Sequence, residues 1–513
     1  MKNQAQPILT KILATLGPAS ADPETLTRMV EAGVRVVRIN FSHGKLDDFK
    51  RMLGVVREVQ QRTGEPIAAL GDLCGPKIRV LGVQGGKLEL QPGDHLEVTQ
   101  REIDARRDPD TGVVSVGTTY PQMVEDAEPG HRLLINDGNI RTLITDKVKP
   151  TDPDTDGRNP SDPRLICRVT AGGTLSPKKG INLPDSDLTA PSLTEWDKTC
   201  AAFAVEHDFD FLALSFVRKR EDVDELDKLI YKTVGKTKAG RARPRLPIIA
   251  KIEMPQAIRE LSGIIRAADG VMVARGDLGV EMELAEVPIL QKQIIDKAHD
   301  HGKPVIVATQ MLESMIDKAT PTRAEISDVA NAILDGADAT MLSGETAVGQ
   351  FPVLTVEHMA RTAERAERFI ADDLMRDTKP PKLARADRQR PAALAHGVSV
   401  MVQDLRARCV VMWTARGGGV RYMSQNRLAV PIVALSPDIR VLRQLALMFG
   451  VRPVQHEPPE DSRLILDVSD KVLLERGWAK PGDPIILARG FPMGTPGTTN
   501  TVQVHYVGDI CRI

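Results

Sequence analysis

Aromatic side chains are scarce in this chain, only 3% of 513 residues, although 42% are apolar. Aliphatic side chains must therefore fill the interior, which suits a parallel α/β protein. Lysine plus arginine (68) nearly equals aspartate plus glutamate (69), for a net charge of −1. That balance argues against a nucleic-acid or membrane surface as the main partner. The five cysteines, Cys74, Cys167, Cys200, Cys409 and Cys511, form no C-x-x-C or Cys/His spacing. A dispersed, odd set reads as reduced thiols without a zinc site. The start, M-K-N-Q-A-Q-P, lacks the apolar segment of a secretion signal, and no apolar run approaches a membrane span. A soluble cytoplasmic protein is expected. The length exceeds what one core supports, so two to four domains are expected.

What is present is a repeat of short apolar strand, polar or glycine-rich end, and amphipathic helix. Strands are read at Lys11–Leu16, Arg35–Asn40, Ile67–Gly71, Phe211–Ser215, Ile248–Ile252, Val271–Ala274, Pro304–Ala308 and Ala339–Leu342. Helices are read at Pro23–Ala32, Lys45–Arg62, Leu193–His207, Asp222–Thr233, Pro255–Ala268, Ala285–His301 and Pro321–Leu334. Such alternation predicts a (β/α)8 TIM barrel, whose reactive groups sit where strands end. The strand ends carry R-I-N-F-S-H-G, G-D-L-C-G-P-K-I-R, S-F-V-R-K, K-I-E, A-R-G-D, A-T-Q-M and L-S-G-E-T. Seven polar clusters on one rim are more than a purely structural barrel needs. Lys251 and Glu253, two apart on a strand, project to one face. With Asp277 from the next strand end they form an oxygen-rich set suited to Mg²⁺ or Mn²⁺ beside an anionic substrate. Taken alone, a structural Lys–Glu pair would explain the first strand equally well.

The third unit is interrupted by hairpin-like patterns such as K-L-E-L-Q-P-G-D-H-L-E-V and H-R-L-L-I-N-D-G-N-I-R-T-L-I. They predict a small β-barrel lid over the rim. A polar linker, Asp377 to Arg390, precedes an open α/β domain. The expected division is barrel at 1–75 and 171–370, lid at 76–170 and C-terminal α/β domain at 371–513. In the last, T-A-R-G-G-G and G-T-P-G-T-T-N are glycine-hydroxyl turns that can cradle phosphate, or serve simply as tight turns.

Together the motifs T-K-I-L-A-T-L-G-P-A-S, R-I-N-F-S-H-G, G-P-K-I-R, K-K-G-I-N-L-P, I-I-A-K-I-E, M-V-A-R-G-D-L-G-V-E, A-T-Q-M-L-E-S-M and M-L-S-G-E-T-A resemble the pyruvate kinase family, in family order from Thr10 to about Asn500. The resemblance implies phosphoryl transfer from phosphoenolpyruvate to ADP, giving pyruvate and ATP, the last step of glycolysis. It implies a divalent metal on Glu253 and Asp277, and Lys251 against the migrating phosphoryl and the enolate oxygen. Arg38 is implied as the phosphate clamp, with the backbone N–H groups of Gly276 and Asp277 toward the substrate carboxylate. Thr309 is implied near the enolate face, with Ser343 and Glu345 as a proton relay whose final donor stays open. Asn40, His43, Arg79 and Lys179, with Lys178 as its neighbour, are the implied nucleotide contacts. The family's K⁺ site maps to Asn40, Ser42, Asp72 and Leu73.

Departures from the family pattern carry their own expectations. Lys77 stands where many members have a glutamate, and its ammonium can replace the monovalent cation. K⁺ is therefore expected to be dispensable. Leu73 replaces a common threonine, a contact made through the backbone carbonyl. The effector loop reads Thr414, Ala415, Arg416, Gly417, Gly418, Gly419, fewer hydroxyls than relatives carry. With Thr498 and Thr499 it implies a sugar-phosphate or nucleotide effector, and the missing hydroxyls argue against fructose 1,6-bisphosphate specifically. A homotetramer is expected from the resemblance alone. Two other readings compete: a metal-dependent C–C lyase on the same barrel, and a non-catalytic regulatory binder. The first leaves the lid, Lys251 and the extra domain without a role. The second predicts loss of Lys251, Glu253, Asp277 or Arg38, and all four are present.

Overall fold

The computed structural model describes residues 8–149, 162–235, 245–374, 389–491 and 499–509. Thr498, Cys511 and the linker as far as residue 388 lie outside them. Eight parallel strands close into a barrel: β1 (Lys11–Thr15), β2 (Val34–Asn40), β3 (Ala68–Asp72), β4 (Phe211–Leu214), β5 (Ile248–Ile252), β6 (Gly270–Ala274), β7 (Val305–Ala308) and β8 (Ala339–Leu342). All eight coincide with the strands expected from the apolar runs.

Side chains alternate along each strand, and the alternation decides which residues meet in the mouth. Leu13, Val36, Leu70, Ala213, Ile249 and Met341 belong to one buried cluster, and their strand neighbours Ile12, Val37, Ala69, Leu212, Ile248 and Leu342 to another. The first set therefore faces inward and the second packs against the helices. Two residues further along, the inward positions become Thr15, Arg38, Asp72, Ser215, Lys251 and Ser343. One period-two rule fills the barrel with hydrocarbon and crowns it with polar groups.

The helices end as their sequences dictate. Asp22 caps Pro23–Ala32 by accepting from the N–H groups of Glu24 and Thr25, and Thr322 and Glu325 form a capping box on Arg323–Leu334. Two segments differ from expectation. Pro255–Ala268 is two helices, Pro255–Arg259 and Leu261–Ala267, broken at Glu260. Arg275–Glu281, read as a strand end, is a short helix leaving β6 without a loop.

Seven strands between β3 and β4 pair in one sheet, from Arg106–Arg107 at one edge to Ile181–Asn182 at the other. Pairing continues beyond residue 170, because Gly173–Leu175 joins Leu88–Leu90 and Ile181–Asn182 joins Leu134–Ile135. The C-terminal sheet holds β9 (Val410–Trp413), β10 (Ile432–Ser436), β11 (Val451–Gln455), β12 (Pro484–Gly490) and β13 (Thr499–Tyr506). Its order is β11-β10-β9-β12-β13, with β13 alone antiparallel.

This sheet's domain docks beneath the barrel through apolar packing, with Leu445, Leu447 and Met448 in the same buried cluster as Leu13 and Leu70, and through polar contacts. Arg443 Nε donates to Asp210 Oδ1 at 2.7 Å, and its far end reaches Asp208 at 2.5 Å. Asp210 also accepts from Arg57 at 3.0 Å. Lys11 Nζ, buried at the foot of β1, donates to the Val451 carbonyl at 2.6 Å. Burial, together with nearby Arg35 and Arg452, pulls the Lys11 ammonium down to about 7 despite Glu367 and Glu65.

Candidate active site

Lys251 is the hub of the barrel mouth. Its Nζ lies 2.9 Å from Ser215 Oγ, 2.7 Å from Glu253 Oε1 and 3.6 Å from Asp72 Oδ1. Burial would strip its proton, but Asp72, Glu253 and Asp277 outweigh that and raise its pKa. It is a permanent ammonium. Asp72, 1% exposed, accepts from Arg38 Nε at 2.6 Å. Burial acts against its charge, yet Lys251 and Arg38 hold it below the usual carboxylate range. Arg38 also donates to Thr15 Oγ1 at 3.2 Å. The result is a fixed row, Arg38–Asp72–Lys251–Glu253, drawn from three strand ends.

Glu253 behaves differently. Burial raises its pKa, Lys251 opposes, and the Asp277 carboxylate adds to the rise. Its Oε2 accepts the Phe216 N–H at 2.7 Å, from a residue held at φ +54°. Among the described residues Oε1 takes no hydrogen bond beyond its ion pair with Lys251. Asp277 is half-buried and its carboxylate accepts no hydrogen bond among the described residues. Two carboxylates that repel each other and keep oxygens uncommitted fit a hard divalent cation. Among the described residues no group of three or more His, Cys, Asp or Glu gathers for a metal. Substrate and water oxygens would have to complete the shell.

The Gly276 N–H donates to Thr309 Oγ1 at 2.7 Å, and that hydroxyl donates to the Ala308 carbonyl at 2.6 Å. Thr309 sits at φ +71°. The expected pairing of the Gly276 N–H with a substrate carboxylate thus competes with Thr309 in this structure. Arg275 holds this corner from behind, reaching Asp328 at 2.7 Å and the Thr309 carbonyl at 2.9 Å. Glu345 places Oε2 on the Ser343 N–H (2.7 Å) and Oε1 on the Leu312 N–H (3.1 Å). The Ser343 hydroxyl, buried, has no partner among the described residues. A direct Ser343–Glu345 side-chain relay is therefore not formed, because the carboxylate is spent on backbone.

Asn40 ends β2, and Ser42, Cys74 and Lys77 stand on the loops after β2 and β3. Asn40 Oδ1 accepts the Ser42 N–H at 3.1 Å, and the exposed His43 follows. The Leu73 carbonyl accepts from Ser215 Oγ at 2.6 Å and retains one lone pair. Ser42, Lys77 and Arg79 border a cleft of about 420 Å³ between barrel and lid, with Tyr120 and Pro191 opposite. Arg79 reaches the Lys178 carbonyl at 2.8 Å, and Lys179 is half-buried nearby.

In the C-terminal domain Thr414 Oγ1 accepts the Gly417 N–H at 2.9 Å, and Arg416 is exposed. A Cβ on Gly419 would lie 2.5 Å from Thr499 Oγ1, so Thr499 abuts the glycine turn. Gly418 begins the helix that follows.

Residue-by-residue reading missed Ser215, which links Lys251 to Leu73, although its inward register identifies it. It also missed Glu281. This carboxyl, 2% exposed, accepts from the lid's Asn182 at 2.6 Å, and its second oxygen has no hydrogen-bond partner among the described residues. Burial, opposed by Asn182 and reinforced by Asp277, raises it to about 7. An acid with a raised folded pKa binds more protons folded than unfolded between the two pKa values. Stability should therefore fall as pH rises from about 4.5 to 7, by about 3 kcal/mol. In metal-free buffer, melting temperatures of Glu281→Gln are expected to lose this slope and to exceed wild type at pH 8.

Known proteins resemble this chain along nearly its whole length. Residues 8–356 match the family model "Pyruvate kinase, barrel domain" and residues 392–505 match "Pyruvate kinase, alpha/beta domain". A pyruvate kinase of Corynebacterium glutamicum is 38% identical over 504 residues, covering 98% of both chains. One from Mycobacterium tuberculosis is 39% identical over 499 residues, covering 97% of this chain and 98% of its own. The crystal structure of a pyruvate kinase from Cryptosporidium parvum superposes with a TM-score of 0.87 at 29% identity, covering 99% of this chain and 98% of that one. With a closed barrel bearing a charged mouth, and full-length likeness at this level, the chain belongs to the pyruvate kinase family of phosphotransferases.

Proposed function

We propose that this chain transfers the phosphoryl group of phosphoenolpyruvate to ADP, and that Lys251, Arg38, Glu253 and Asp277 carry the chemistry. The observation that supports it most is the buried Lys251 ammonium, clamped by Ser215, Glu253 and Asp72 at the centre of the mouth. A fixed cation there meets the charge that develops as the phosphoryl leaves, and needs no reorganisation. Arg38 offers the rest of its guanidinium fork to phosphate oxygens while Asp72 fixes its Nε side. A divalent cation on Glu253 and Asp277, Mg²⁺ or Mn²⁺, supplies Lewis-acid charge to the substrate oxygens. Thr309 faces the enolate, and its hydroxyl must turn from the Ala308 carbonyl to take part in protonation. Asn40, His43, Arg79 and Lys179 receive the nucleotide, with Arg79 at the border of the cleft below the lid. Thr414, Arg416, Gly417, Gly418, Gly419, Thr498 and Thr499 take a sugar-phosphate or nucleotide effector. Cytoplasmic location and a homotetramer complete the proposal. No helix among the described residues is long and apolar enough to cross a membrane.

Pyruvate release from phosphoenolpyruvate, followed with and without ADP and then with the metal chelated, tests the reaction. Turnover is expected only with both ADP and metal. Release at the same rate without ADP would favour the lyase-like alternative.

A further inference from the structure

Beneath the barrel, far from its mouth, a cavity of about 450 Å³ opens between the barrel helices and the C-terminal domain. Its volume suits a small molecule. Leu9, Ile333, Ile370, Val430 and Phe449 supply an apolar lining drawn from both domains. Three carboxylates also border it, and all three are engaged. Glu364 pairs with Arg368 at 2.5 Å, Glu367 accepts the Leu9 and Thr10 N–H groups at 2.8 and 2.7 Å, and Asp335 takes Lys292 and Gln291.

The four bordering arginines are less fully used. Arg427 lies 3.9 Å over the Phe449 ring and spends only Nη1, on the Gly336 carbonyl and Asp338. Arg408 spends Nε on the Trp478 carbonyl, and Arg368 spends Nη2 on Glu364. Arg406 makes no side-chain hydrogen bond among the described residues. The cavity thus has an apolar body and a surplus of guanidinium donors. A guanidinium fork pairs with a carboxylate through two parallel hydrogen bonds. The engaged acids still disfavour a second negative charge, and the apolar lining disfavours a heavily hydrated polyanion.

We propose that this cavity is a binding site for a small carboxylate monoanion with an apolar body about the size of a benzene ring. Because both domains line it, such a ligand would bind only when they are docked and would stabilise that docking. The site is independent of the reaction proposed above.

Calorimetric titration of the full chain with 3-phenylpropanoate, in the presence of phosphoenolpyruvate to occupy the mouth, tests it. Neutral 3-phenylpropan-1-ol is the control. Saturable one-to-one binding with a Kd at or below about 1 mM is expected for the acid, with a raised melting temperature. The alcohol is expected to bind at least about tenfold more weakly. The exposed pair Arg406→Gln and Arg408→Gln should weaken the acid by a similar factor while leaving turnover unchanged. Absence of saturation by the acid, equal binding of acid and alcohol, or undiminished binding by the double variant would each overturn the site.

Discussion

Lys251→Met is expected to lower kcat by about 100- to 1000-fold while leaving KM for phosphoenolpyruvate within a few-fold. The reason lies in where its charge sits. Arg38 also presents positive charge, but Asp72 holds it to one side. Lys251 Nζ is the buried ammonium central to the row, and it is needed most when negative charge moves toward the enolate oxygen. The substitution also leaves Asp72 and Glu253 buried with less compensation, at a cost of about 3–5 kcal/mol. Melting temperature must therefore be measured beside the rate, and turnover compared per folded molecule. A folded Lys251→Met variant within about tenfold of wild type, roughly 1.4 kcal/mol, would remove Lys251 from the chemistry.

Potassium dependence gives the second large effect. Wild-type turnover is expected to persist in buffer free of sodium and potassium, and Lys77→Glu should make the enzyme depend on added K⁺. Lys77 is exposed and borders the same cleft as Ser42, with its stem running past Gly180, where an added Cβ would lie 3.4 Å from Lys77 Cε. We propose that its ammonium takes over the charge a monovalent ion would supply. Reversing the sign should cost at least about tenfold in rate without K⁺. Added KCl should restore it, and tetramethylammonium chloride should not. Near-total loss of wild-type activity without K⁺ would refute the substitution of ammonium for ion.

The barrel was legible because parallel strands buried on both faces read as apolar runs with polar ends. Lys251 and Glu253 were legible for the same reason: two residues of spacing put them on one face. Ser215 needed the further step of following the inward register of β4 past Ala213. Other features were hidden because they depend on chain segments distant in sequence. Glu345 looks like a proton carrier in L-S-G-E-T, but the Leu312 N–H, supplied by another loop, claims one of its oxygens. Arg275–Glu281 reads as the end of a strand because its glycines disfavour a helix. Tertiary contacts, Arg275 to Asp328 and Gly276 to Thr309, override that propensity. The lid's lower edge at Ile181–Asn182 is two residues long, too short to show alternation.

Arg443 beneath the barrel has a consequence for the independence of the two halves. Severed from its companion, the barrel would keep Asp210 with one guanidinium where it now has two, and Arg443 would lose both of its acid partners to the other half. The two halves share these charges across one seam. A chimera joining this barrel to a relative's C-terminal portion must transplant the acid and the base together, or inherit an orphaned charge at the seam.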